Sequence, residues 1–228
     1  MASDYELSEL VAGRAGIRVG GGTPEGTSVN TLKCYAAGCA KRATIHFIRA
    51  EARRVVEAVV LCDEHGTARL HEHWNRPGRI GPGTPERIGT GVVFDIDDLV
   101  LDELNIQDQP NWAGWLELIE VGGARRFGMR VDSFAWVVLS AELQGYQFPR
   151  PPTHQAMARL LKAIGARLDY VEIDKVTPGD VYVYEAKLHI EHAGTHVLVD
   201  LRPTDAIALA LYCGVPIVVS QALLTMLR

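Results

Sequence analysis

The chain has 228 residues, 47% of them hydrophobic and 22% charged, with a formal net charge of -5. That composition can bury a sizeable core in one large domain or two modest ones, and the negative total excludes a chain that coats nucleic acid by overall charge. No apolar run reaches the roughly 18 to 20 residues that span a membrane, and the opening M-A-S-D-Y-E-L lacks the basic start and apolar stretch of a secretory signal, so the expected location is cytoplasmic, with no membrane partner.

The charges are unevenly placed. Residues 31–90 hold ten Lys and Arg against six Asp and Glu, residues 91–120 hold eight acids and no Lys or Arg, and residues 121–228 are nearly balanced. The break predicts a boundary between modules. Residues 1–30 read as a flexible leader, because the run from Arg14 to Asn30 is rich in Gly, Thr and Ser without apolar periodicity.

Residues 31–76 read as a small metal module. C-Y-A-A-G-C, twenty-two residues and then C-D-E-H place Cys34, Cys39, Cys62 and His65 as two ligand pairs. A thiolate pair on a tight loop and a Cys-x-x-His pair at a helix start suit a closed tetrahedral zinc site. The stretch between the pairs reads as a β-hairpin that brings them together. Reduced structural cysteines are the bland alternative, and a disulfide is rare in a cytoplasmic chain. His46 falls within the hairpin, and His71 and His73 lie beyond the first helical turn, so none of these joins the ligand set. Cys213 ends an apolar helix and reads as a small buried hydrophobe.

Cys34, Gly38, Cys39, Ala43, Thr44, Leu61, Cys62 and His65 together resemble the small zinc ribbon or treble-clef modules. The resemblance implies a structural Zn2+ and a protein or nucleic-acid partner. Lys33, Lys41, Arg42, Arg49, Arg53 and Arg54 supply positive charge for phosphate contacts, although such a run is more often a solvated face.

Residues 77–91 are dense in Gly and Pro and read as a linker unable to sustain a helix or central strand. The rest, 92–228, reads as one α+β domain. Asp95 to Leu104 spaces apolar residues at 96, 99, 100 and 104 as a helix would, whereas Val92 and Phe94 alternate as a strand would; both readings stand. Trp115 to Val121 and Phe127 to Val131 form a hairpin about Gly122 and Gly123, and Phe134 to Gly145 is a buried helix with a glycine cap. Thr153 is the expected N-cap of a helix carrying Met157, Leu160, Leu161 and Ile164 on one face, with Gly165 as its stop. Arg167 to Lys175, Val181 to Ile190 and His196 to Leu201 are strands, the first two joined by the turn T-P-G-D. A helix from about Pro203 to Cys213, then Gly214 and a short strand P-I-V-V-S, complete the chain. Strands and helices mix without strict alternation, which is the α+β pattern.

From about 116 to 223 the sequence resembles the bifunctional nuclease family. The matching residues are Arg150, Pro151, Thr153 and His154 in R-P-P-T-H, and Asp200, Arg202, Pro203, Asp205, Ala206, Ile207 and Pro216 in D-L-R-P-T-D-A-I and beyond. The resemblance implies an α+β domain, self-association into a homo-oligomer, and nuclease activity on DNA and RNA. Phosphodiester hydrolysis needs an activated water, stabilised phosphate charge and a protonated leaving oxygen. Asp200 and Asp205 are the candidates to hold Mg2+ or Mn2+ or to orient water, Arg202 and Arg150 to clamp phosphate, and His154 to act as acid or base.

Each also has a structural reading. Pro203 suits a first helical turn, Asp205 there complements the helix dipole, and His154 can fix the fold by bonding a neighbouring carboxylate. Two positions depart from the family: Ala135 and Gln155 stand where the family carries acids, leaving Asp132 or Glu142 to compensate. The expected function is therefore a metal-dependent nuclease with a structural zinc module. The alternative is a non-catalytic adaptor that binds protein or nucleic acid through an oligomeric α+β domain, and a third reading is a small anion bound at the Asp200 to Asp205 helix start.

Overall fold

Ile45–Glu51 (β1) and Arg54–Leu61 (β2) are rich in Ile, Val and Phe and pair antiparallel, as the sequence predicts. Their two-residue turn puts Ala52 and Arg53 at positive φ, the mirror-image turn whose twist matches a hairpin. The protein is described from a computed structural model covering residues 33–74, 86–102, 114–177 and 183–226. The expected leader at 1–30, residues 77–85 of the expected linker, and most of the T-P-G-D turn lie outside the described residues. The remaining elements are α1 (Asp63–Trp74), β3 (Arg87–Ile88), β4 (Gly91–Asp102), β5 (Gly114–Glu120), β6 (Arg126–Val131), α2 (Ser133–Gln144), α3 (Thr153–Ala163), β7 (Arg167–Thr177), β8 (Val183–His192), β9 (Thr195–Leu201), α4 (Pro203–Cys213), β10 (Ile217–Ser220) and α5 (Gln221–Met226).

The fold is mixed α+β. By contacts the chain forms two compact units, each assembled from separated stretches of sequence. One contains the described residues 33–74, 96–102, 114–117 and 128–146. In it β1 pairs antiparallel with β2 on one edge and with the second half of β4 on the other. Phe47, Ile45, Leu61 and Val100 form a core shared with Cys34 and Cys62. Helix α2 buries Trp136, Leu139 and Ala141, and the His46 ring meets Trp136 edge-on at 5.8 Å. Asp132 is its N-cap, with Oδ1 accepting from the Ala135 N–H at 2.7 Å, and Gly145 at φ 65 is the left-handed stop expected from the sequence.

The other unit contains 86–95, 118–127, 147–177 and 183–226. Its strand order is the first half of β4, then β10, β7, β8 and β9, antiparallel except for the parallel β10–β7 pair. Helix α4 buries Ala206 to Ala210 against β7 and β8, and α3 packs beside α4. Strand β9 ends the order, and its residues Thr195 to Asp200 are all exposed.

One open reading is settled and three expectations are corrected. The 95–104 stretch is not helical where described: it belongs to β4, because Val92, Phe94, Ile96 and Leu99 are buried along with Val93, Asp97 and Val100. A strand paired on both edges and covered on both faces reads as a continuous apolar run and mimics a helical stripe. The end of the linker, 86–91, is also structured, as β3 turns through Gly89 (φ 58) into β4. Thr153 is the first helical residue and not the cap; Pro152 holds the cap position without a side-chain bond. Cys213 is exposed and not buried, since α4 turns its last residues to solvent. Among the described residues no helix is long and apolar enough to cross a membrane.

The Asp132 cap gives a direct test. Asp132→Ala should destabilise the protein by about 1 kcal/mol by leaving an N–H of α2 unsatisfied. A urea titration should show a lower midpoint with an unchanged slope.

Candidate functional site

The first cluster lies where the hairpin meets α1. Gly38 at φ 77 closes the loop between Cys34 and Cys39, and the Cys34 N–H bonds the Lys41 carbonyl at 2.9 Å. The Tyr35 N–H bonds the Val60 carbonyl at 2.9 Å, which ties this loop to β2, and Cys62 follows β2 into α1. Gly66 lets α1 approach: a Cβ there would stand 2.5 Å from Ile45 Cδ1. Arg69 fastens the helix from the other side, bonding both Glu57 oxygens at 2.7 and 2.8 Å with its guanidinium 5.6 Å from the Phe47 ring centre.

These contacts bring the four expected ligands, Cys34, Cys39, Cys62 and His65, within 4.8 Å of one another. Cys39 Sγ is 3.9 Å from Cys62 Sγ, and His65 Nδ1 is 3.4 Å from Cys34 Sγ and 3.2 Å from Cys62 Sγ. Bonds of about 2.3 Å to sulfur and about 2.0 Å to nitrogen give tetrahedral edges of about 3.8 Å (S–S) and about 3.5 Å (S–N). The donor set and spacing therefore fit a closed four-ligand metal site. His46 is held elsewhere, against Trp136. The expected basic patch is partly neutralised, as Lys41 pairs with Glu64, and Arg49 approaches Glu57 at 3.8 Å.

The second cluster joins the two family motifs. His154, in the first turn of α3, places Nε2 3.0 Å from Asp205 Oδ1 in the first turn of α4. Arg202 donates from Nε to Asp205 Oδ2 at 2.7 Å and from Nη2 to Oδ1 at 3.0 Å. Burial raises the Asp205 carboxyl, but bonds from His154 and Arg202 and the Arg202 charge outweigh it and hold the group down at about 2. The His154 ring is only 4% exposed, and its Nδ1 has no hydrogen-bond partner among the described residues. Arg202 is 62% exposed at its side chain. The arrangement presents a cation to solvent, oriented by a half-buried carboxylate that is itself held by an imidazole.

The other expected residues fall elsewhere. Arg150 is exposed on the segment before α3. Asp200 is exposed on β9 with Lys187 as its register partner, so the two carboxylates belong to different side-chain groups. Asp205 has both oxygens engaged by His154 and Arg202. This pair does not fit an Mg2+ or Mn2+ site, and no step is derived through such an ion. Ala135 is buried in α2, Gln155 is buried in α3, and Asp132 is occupied as a cap. A group that the sequence reading passed over lies beside Asp200: Lys187 paired with Asp174, and His189 set between Glu172 and His196. The alternating polar positions in D-Y-V-E-I-D-K and K-L-H-I-E-H carried that signal.

An α+β domain whose R-P-P-T-H segment and D-L-R-P-T-D helix start meet through one carboxylate defines the class. The chain belongs to the bifunctional nuclease domain family, which matches residues 118–227. Uncharacterized proteins of two strains of Mycobacterium tuberculosis are each 33% identical over 117 residues, 51% of this chain and 68% of theirs. Bifunctional nuclease 2 of Oryza sativa subsp. japonica is 32% identical over 108 residues, 46% of this chain and 32% of that protein.

The Asp205 cluster should leave an acid signature. A carboxyl depressed to about 2 in the folded chain, against about 3.9 unfolded, stabilises fully above pH ~4 and loses that contribution as pH falls to ~2. Because Arg202 is largely exposed, the contribution is on the order of 1 kcal/mol. Asp205→Asn should flatten the stability profile between pH ~4 and ~2 in acid-titrated urea melts.

Proposed function

We propose that this chain acts on nucleic acid as a nuclease of the bifunctional nuclease class, hydrolysing phosphodiester bonds of DNA or RNA. The observation that carries the reading is the exposed Arg202 guanidinium, aimed by Asp205 and His154 inside the family's own motifs. Family membership and the similarity to bifunctional nuclease 2 of rice support it. In this reading Arg202 and Arg150 meet the phosphate, Asp205 fixes the guanidinium, and His154 positions Asp205. The three-cysteine, one-histidine cluster holds a structural Zn2+ that organises the hairpin and α1 for a protein or nucleic-acid contact. Its reduced thiolates suit the cytoplasm. Self-association draws on the apolar side chains that the single chain leaves open, Leu160 (62% exposed) and Ile164 (53%) on and beside α3 and Val197 to Val199 on β9.

Labelled single-stranded DNA and RNA, incubated with the full chain with and without Mg2+, Mn2+ and chelator, test this reading. Cleavage should fall about tenfold or more in Arg202→Ala, the scale of a lost charge-assisted phosphate contact, while circular dichroism stays unchanged. Normal cleavage by a folded Arg202→Ala removes the residue from the reaction.

A second reading has its own support. With His154 buried and both Asp205 oxygens hydrogen-bonded, the cluster presents no exposed acid or base. A non-catalytic adaptor would bind these nucleic acids, or a protein, and cleave none in any preparation. For the metal module, elemental analysis of reduced, untagged protein should give about one zinc per chain, and Cys39→Ser should lower both zinc content and thermal stability.

A further inference from the structure

Strands β7, β8 and β9 align Tyr170 with His189 and Leu198, and Glu172 with Lys187 and Asp200. His196, two residues before Leu198, shares this face. The His189 ring is 7% exposed and stacks on Tyr170, with centroids 3.9 Å apart and planes at 19°. Its Nε2 is 3.0 Å from Glu172 Oε2, and its Nδ1 is 3.3 Å from His196 Nε2.

Chemistry fixes the tautomer. An ionised carboxylate only accepts, so the His189 ring proton sits on Nε2 and Nδ1 carries a lone pair toward His196. Burial pushes the His189 imidazole below its ordinary value, and the bond and charge of Glu172 oppose this. At 3.3 Å the two nitrogens make a long contact, just outside the range of about 2.7 to 3.2 Å for ordinary N–H···O bonds. They are also at the ~3.3 Å edge of a tetrahedron with metal–nitrogen bonds of about 2.0 to 2.1 Å. Charge separates a cation from a phosphate: Glu172, Asp174 and Asp200 surround one Lys187, which is itself paired with Asp174. A face with three acids and one base repels a polyanion and favours a cation.

We propose that His189 Nδ1 and His196 Nε2 bind a divalent transition-metal ion, with Glu172 as the outer partner that orients His189. Imidazole donors select zinc, nickel, cobalt or copper over magnesium and calcium. A carboxylate on the far nitrogen of a ligating histidine is the usual way such a ring is held. With two protein ligands, the remaining coordination positions go to water, so this is an open site, unlike the closed cluster of Cys34, Cys39, Cys62 and His65. The inference does not rest on the nuclease reading and stands whether or not nucleic acid is cleaved.

The test uses the full chain, first loaded with zinc at the cysteine cluster and then titrated with Ni2+ by calorimetry in a non-chelating buffer. Elemental analysis after gel filtration counts both metals. The expected result is one nickel per chain in addition to one zinc. Ni2+ affinity should fall about 10- to 100-fold in Glu172→Gln and at least about tenfold in His196→Ala, a change on an exposed strand that leaves the core intact. Zinc alone, nickel gained only at the expense of zinc, or an unchanged Ni2+ affinity in His196→Ala would overturn the assignment.

Discussion

The carboxylate of Asp205 is the constraint around which the family's two motifs are arranged. It accepts from His154 on α3 and from Arg202 at the N-cap of its own helix, and these bonds engage both oxygens. Even a half-buried carboxylate gains from such partners, because its desolvation is costly unless it is paired and hydrogen-bonded. Once they are in place, α3 and α4 are fixed at their first turns, and the small residues Ala206, Ala208 and Ala210 allow α4 to lie within the core. The same bonds that make Asp205 a poor metal ligand make Arg202 a well-oriented cation. Structural and functional readings of the motif are thus two descriptions of one set of bonds.

Much of this was legible in the sequence. The cysteine pairs, the hairpin between them and the glycine stops at Gly145 and Gly214 rest on local chemistry, and local chemistry survives folding. The His154–carboxylate bond was anticipated as a structural option, though not its partner. What stayed open or failed were judgements that depend on distant neighbours. Whether 95–104 reads as helix or strand turns on the cover of both faces, which periodicity does not report. The exposure of Cys213 depends on how α4 emerges from the core. The grouping of Asp200 with Lys187 depends on strand register, so proximity along the chain to Asp205 was misleading.

The two metal-type groups differ in ways that follow from their donors. The sulfurs of Cys34, Cys39 and Cys62 sit against Phe47, Ile45 and Val100, and a compact set of four metal-type donors lies where the hairpin meets α1. Such a site contributes to folding directly. The imidazoles of His189 and His196 lie instead on an open sheet face, where one ring is fixed by stacking and the other stands on an exposed strand.

The exposed Cys213 gives the chain a chemical asymmetry. The other three cysteines all belong to the four-ligand cluster, while Cys213 stands at the solvent-facing end of α4. Ligation by zinc masks thiolates from alkylation, so a loaded chain offers one thiol to a maleimide and a stripped, opened chain offers four. With zinc at the cluster as proposed, the thiol count would gauge metal occupancy, and the reporter is the last residue of the helix that begins at Pro203.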